Sequence, residues 1–190
     1  MGTKVFPLHP QDGRELDALC ARLKQIRVDA DLRSIEVSII AGEHHDFVRR
    51  LESRAARGPA ASTLQKWAGA LYVRLCFEVD GVPALPVHDP VLLALQRQAD
   101  VWGSGSDVAV RLLLVAQLRQ WRMSQGRDIE HVAPLLGVSG EAARHWENKS
   151  KDPLMSRAMV YARLLGTQVR VSVVTREQWS QSQIVKPRAC

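Results

Sequence analysis

Apolar residues recur at helical spacing from Val108 to Met123, through Leu112, Val115, Leu118 and Trp121, and predict a first helix. Ser124-Gln125-Gly126 interrupts it. Asp128 is placed to cap a short second helix, Ile129 to Leu136, whose Val132, Leu135 and Leu136 face inward. Gly137-Val138-Ser139 predicts a sharp turn, because Gly137 accepts left-handed backbone and Ser139 can cap the next helix. That third helix is expected from Gly140 to Asn148 and a fourth from Leu154 to Leu165, with Gly166 as its stop. Alternating Val169, Val171 and Val173 then predict a strand over Gln168 to Val174.

The same order occurs earlier in the chain. At a shift of 95 positions, Ala21–Arg27 lies over Ala116–Arg122, Val37 over Val132, Gly42 over Gly137 and Leu51-Glu52 over Trp146-Glu147. One residue is lost in a loop. At a shift of 94, Pro59 lies over Pro153, Trp67-Ala68 over Tyr161-Ala162, Leu71 over Leu165, and Leu75, Phe77 and Val79 over Val169, Val171 and Val173. The chain is therefore expected to be mainly α, with two copies of one unit. A first, divergent domain occupies 1–80 and ends in a strand at Val73 to Val79; a linker occupies 81–106, a second domain 107–175 and a polar tail 176–190. The linker reads as a Pro-rich stretch, Gly81 to Pro90, then a helix from Val91 to Trp102 that packs through Val91, Leu92, Leu95 and Ala99, then a flexible Gly103-Ser-Gly-Ser106.

A helix, a Gly-containing turn and a second helix crossing it form a helix-turn-helix arrangement. The run from Asp128 to Glu147, continued by Pro153 and Tyr161 to Gly166, resembles the lambda-repressor-like, or XRE-type, helix-turn-helix family in its Gly137-Val138-Ser139 turn, Trp146-Glu147 and late Gly166. The stretch from Ser34 to Tyr72 is similar but more divergent, with Val37-Ser38 for the usual Leu-Ala, His44 for the capping Ser and Tyr72 for the final Gly. The resemblance implies two helix-turn-helix domains that bind double-stranded DNA, each third helix presenting polar side chains to base edges in the major groove. In the second unit those positions are Ser139, Gly140, Glu141, Arg144 and His145, with Lys149 just beyond. In the first they are His44, His45, Asp46, Arg49 and Arg50, with Ser34 opening the second helix where the phosphate backbone rests.

Arg49, Arg50 and Arg144 are the leading candidates for readout, since an arginine donates two hydrogen bonds to guanine; Asp46 and Glu141 can accept from cytosine or orient an arginine. The resemblance also implies structural ion pairs, Arg27 with Glu52 and Arg122 with Glu147. In some dimeric relatives of this family a strand after the last helix pairs with its counterpart in the second subunit. Here both strands lie in one chain, which is expected to pair them about a pseudo-twofold axis and make a monomer act as a pseudo-dimer; a tandem array without pairing, or a weak homodimer, is the alternative.

Charge agrees with a polyanionic partner. The chain has 190 residues, 26 Lys plus Arg against 20 Asp plus Glu, a net charge of +6 and an isoelectric point near 9.6. Cys20, Cys76 and Cys190 show no metal-ribbon or disulfide spacing, and no apolar run suggests a membrane span or signal peptide. A cytoplasmic, nucleoid-associated protein of a bacterial or phage-infected cell is expected. No catalytic constellation, cofactor or metal is expected: His44-His45 sit at adjacent positions that would diverge on a helix, and no Cys lies near them. The function expected is a transcriptional regulator, a repressor of the phage-immunity or mobile-element kind. The alternative is an antitoxin-like module in which the first domain binds a protein, favoured by the large apolar Phe47 beside its reading positions. The tail from Thr175 is expected to be disordered or to reach DNA through Lys186 and Arg188.

Overall fold

The computed structural model describes residues 6–53, 58–81, 90–102, 104–148 and 154–185. Helices α1 (Pro10–Asp29), α2 (Ser34–Ile40), α3 (Phe47–Glu52) and α4 (Ala61–Ala70) lead into strand β1 (Val73–Val79). After α5 (Pro90–Ala99), the order repeats: α6 (Ser104–Ser124), α7 (Ile129–Val132) with a 3₁₀ turn at Ala133–Leu136, α8 (Gly140–Glu147), α9 (Met155–Leu164) and strand β2 (Val169–Thr175). Helix α10 (Arg176–Val185) closes the described chain. Among the described residues the protein is mainly helical with one two-stranded sheet, and no helix among them is long and apolar enough to cross a membrane.

The two runs agree down to their turns. Gly42 and Gly137 both sit at φ +69°. Around the first, Gly42 N–H donates to Ile39 at 2.9 Å and Glu43 N–H to Ser38 at 3.0 Å; around the second, Gly137 donates to Pro134 at 3.1 Å and Val138 to Ala133 at 3.2 Å. These bonds satisfy carbonyls that the ending helix leaves without partners. The second half also has glycine at the left-handed positions Gly126 and Gly166, whereas the first has Asp31 at φ 53° and Tyr72 at φ 56°. A side chain with a Cβ is strained there.

Several elements depart from the sequence expectation. The second helix is α only to Val132, because Pro134 has no N–H to donate and the chain tightens into the 3₁₀ turn. Helix α3 begins at Phe47, so His44, His45 and Asp46 lie in a turn before it rather than on it. His44 is the reason: its Nδ1 accepts from Asp46 N–H at 3.4 Å, two residues on, while Ser139 Oγ accepts from Ala142 N–H at 3.1 Å, three residues on, in the manner of a true cap. Ser104 to Ser106 form the first turn of α6 instead of a flexible joint. The tail is helical because Thr175 and Gln178 form a reciprocal cap, with Gln178 N–H donating to Thr175 Oγ1 at 3.3 Å and Thr175 N–H to Gln178 Oε1 at 3.0 Å. Val91, Val108 and Met123 are exposed rather than packed. The Pro-rich linker at 82–89, Lys186 and Arg188 lie outside the described residues.

What joins the halves is the sheet. β1 and β2 pair antiparallel, as the duplicated strands led us to expect, with Phe77 facing Val171 and Leu75 facing Val173. Val171 is the counterpart of Phe77 in the 94-position repeat. An isolated antiparallel bridge joins Ala60 to Leu154, which are counterparts too. The helices follow the same rule of exchange: α1 contacts β2 and α9, while α6 contacts β1 and α4. One hydrophobic core runs through both halves, from Leu16, Leu23 and Trp67 to Leu118, Tyr161 and Val169. Arg163 of α9 adds an ion pair to buried Asp12 of α1 at 2.7 Å, and Asp12 favours the charged form of the arginine. Buried Arg74 ties α5 and α10 to the sheet by donating to the carbonyls of Ala99 and Val101 beneath the Trp179 ring, 4.2 Å away.

Tyr72 is 78% exposed, so its ring adds little to the core while its backbone stays in the left-handed region. Tyr72→Gly should raise the unfolding free energy by about 0.5–1 kcal/mol, and Gly166→Ala should lower it by about 1 kcal/mol, both measured by chemical denaturation.

Candidate nucleic-acid interface

Helix α8 carries the better-formed head. Ser139 caps it, Ala143 and Trp146 are buried beneath it, and Glu141, Arg144 and His145 are exposed on its outer side. Ala143 and Trp146 fix the rotation of the helix, since i and i+3 share a face, and so send Arg144 and His145 outward. Gly140 is half-buried because the Glu130 carboxylate lies over it: a Cβ at Gly140 would fall 1.8 Å from Glu130 Oε2. The same carboxylate accepts from Arg144. His145 Nε2 lies 3.8 Å from Glu141. Lys149 lies outside the described residues.

The head of the first half is built differently. Val48 and Leu51 are buried under α3, which turns Arg49 and Arg50 to solvent. Asp46 Oδ1 accepts from Arg49 Nε at 3.1 Å and Nη2 at 2.9 Å, and this hydrogen bonding holds the Asp46 carboxyl below the usual carboxylate range. The His44 and His45 rings lie 4.0 Å apart, and His45 Nε2 is 3.7 Å from Asp46. Divergence on a helix therefore does not apply to them: in their turn, one ligand atom from each of His44, His45 and Asp46 lies within 4.8 Å of the others, and among the described residues these three could hold a metal ion. Phe47 is buried and presents no apolar surface beside Arg49 and Arg50, so it lends nothing to a protein-binding role for this head. Ser34, the first residue of α2, is half-buried, and its carbonyl accepts from Ser38 Oγ at 2.8 Å.

Glu130 is the residue the sequence reading missed. Its place in the first turn of α7 was legible, since an acid there favours the helix dipole, but its reach across to Arg144 needs the angle between α7 and α8. Glu130 holds Arg144 only weakly, since an exposed ion pair contributes about 0–1 kcal/mol, so the guanidinium is available to another acceptor.

Beneath both heads lie the structural pairs. Arg122 donates to Glu147 at 2.8 and 2.7 Å and to the Arg127 carbonyl. Arg27 donates to Glu52 at 2.7 and 3.1 Å and to the Leu32 carbonyl at 2.6 Å, the same three bonds 95 residues earlier. Each pair ties the end of the first helix to the end of the third. In the second half Tyr161 also donates to Glu147, whereas its counterpart Trp67 has a buried Nε1 with no partner among the described residues. Burial first, and that hydrogen bond second, hold the Tyr161 phenol well above its ordinary value. Glu147 raises the pKa of Arg122.

No protein-family model matches the chain, and neither a curated protein nor a solved structure is found to be similar to it.

Removing one member of a buried pair leaves an uncompensated charge. Arg122→Ala should therefore cost about 3–5 kcal/mol in urea unfolding, and Arg27→Ala, whose partner is less buried, about 1–3 kcal/mol. Because the folded pKa of Tyr161 lies above that of the unfolded chain, its contribution is complete below about pH 10 and is lost as pH rises beyond. Thermal melts from pH 8 to pH 11 should show a falling alkaline limb that Tyr161→Phe flattens, together with lower stability of that variant at neutral pH.

Proposed function

We propose that the chain is a sequence-specific double-stranded DNA-binding transcriptional repressor, made of two lambda-repressor-like helix-turn-helix domains in a single pseudo-dimeric chain. The observation that carries this reading is the recurrence, in two runs of helices joined strand to strand, of a glycine turn followed by a helix whose buried side sends arginine outward. Two such helices about a pseudo-twofold axis match the way dimeric helix-turn-helix proteins address two half-sites about 34 Å apart. The heads differ, Ser139-Gly140-Glu141 against His44-His45-Asp46, so the site is bipartite without being a palindrome. Affinity comes mainly from phosphate contacts by the basic surface, and selectivity from Arg144, Arg49 and Arg50. Occlusion of a promoter by such binding requires no catalysis.

A second reading, in which only the C-terminal half binds DNA and the other engages a protein, is favoured by exposed apolar side chains on the first half, Ile39 at 65%, Ile40 at 50% and Tyr72.

Selection from random duplex, followed by fluorescence anisotropy and sedimentation with the selected site, tests the first reading. One chain per duplex is expected. Arg144→Ala should weaken binding by about tenfold or more, and Arg49→Ala with Arg50→Ala by a similar factor. Unchanged affinity in the latter double variant supports the second reading, and two chains per site contradicts the pseudo-dimer. Glu130→Gln should move the other way, raising affinity several-fold at low salt, because it releases Arg144 and removes a negative charge beside the phosphates.

A further inference from the structure

The repeat relation exposes one place where the halves do not match. At one of the two equivalent contacts between the halves, Asp12 of α1 is buried and ion-paired to Arg163 of α9. The counterpart of Asp12 is Asp107 of α6, and the counterpart of Arg163 is Gly69 of α4. The carboxylate has been kept and its arginine has not.

The missing side chain leaves room. A Cβ at Gly69 would meet nothing within 4 Å. A cavity of about 470 Å3 opens there, with Gly69, Asp107, Gln65, Lys66 and Tyr72 in its lining together with Arg111, one helical turn on from Asp107. Gln65 and Lys66 stand where the other half has Met159 and Val160, so the wall facing Asp107 has become polar. Gln65 is buried and donates to the Asp107 carbonyl at 2.6 Å, which fixes that wall, and Lys66 is neutralised by Glu43. Burial raises the pKa of Asp107, with Arg74 opposing the shift, and among the described residues no donor is found at its carboxylate. A half-buried carboxylate without a donor is costly and is relieved by a cation that brings its own hydrogen bonds.

We propose that this cavity is a binding site for a guanidinium group, which takes beside Asp107 the position that Arg163 takes beside Asp12. The internal copy defines the chemistry: a planar donor on an aliphatic stem, facing one carboxylate. Exposed Ile40 and Tyr72 border the mouth and suit apolar groups flanking that stem. The site is independent of what α3 and α8 bind.

Titration of the full chain with N-acetyl-arginine amide, followed by amide chemical shifts in NMR, tests the proposal. Saturable shifts are expected around Gly69 and Asp107, and the citrulline analogue should give none. Asp107→Asn should weaken binding at least about tenfold. Gly69→Arg should fill the site from within and abolish binding, while Gly69→Ala retains it. Gly69→Arg should also melt at a higher temperature than Gly69→Ala, and Asp107→Asn should erase that difference. A peptide carrying arginine between leucines that binds about tenfold tighter than the amide identifies a protein side chain as the occupant; equal affinities identify a small molecule. Absence of binding to the unaltered chain overturns the proposal. So does binding that survives both Asp107→Asn and Gly69→Arg.

Discussion

The pairing of β1 with β2 is the constraint on which the arrangement depends. A lone seven-residue strand leaves a row of backbone donors and acceptors without partners, and neither strand has another neighbour among the described residues. Once Phe77 faces its own counterpart Val171, the helices of the two halves are placed in exchanged positions, and α1 on β2 with α6 on β1 is the outcome. The shared core is a consequence of that exchange. Each half is small enough that its own apolar surface closes a modest core at best, and each completes the other's.

Within this frame, the halves have diverged unevenly. The pairs Arg27–Glu52 and Arg122–Glu147 keep the same geometry, because each fixes the third helix of its half on the first. The left-handed turn at Gly42 and Gly137 is also kept, since only glycine takes that backbone without strain. At the heads, divergence falls on groups facing water, Ser139 against His44 and Glu130 against Ile35; at the contact between the halves it sets Arg163 against Gly69. On the proposed reading, the first two give the halves different heads, and the third leaves a cavity at one contact between the halves that Arg163 fills at the equivalent contact.

Much of the fold was legible because it rests on local rules applied twice. The left-handed glycines, the Asp128 and Ser139 caps and the alternation of β1 are local signals, and the self-match turned each weak signal into two. The ion pairs followed from the family resemblance, not from spacing. What escaped was non-local or depended on competition between neighbours. Pro134 tightened a helix that apolar periodicity had extended, and His44 bonded two residues on instead of three and delayed α3. The Thr175-x-x-Gln178 cap was in plain sequence, yet it was hidden by the polar composition around it. Arg144 with Glu130, and the empty counterpart of Arg163, need the crossing angles of helices and could not be read from one dimension.

Cysteine cross-linking across the strand pair tests the central claim most directly. Antiparallel partners have Cα atoms about 4.5–5.5 Å apart, within disulfide reach. In a chain whose own three cysteines are replaced by serine, Phe77→Cys with Val171→Cys should oxidise to an intramolecular disulfide and migrate as a monomer. The out-of-register combination of Phe77→Cys with Val169→Cys should react far more slowly. Disulfide-linked dimers from the first combination, or equal rates for the two, would contradict an intrachain sheet in this register.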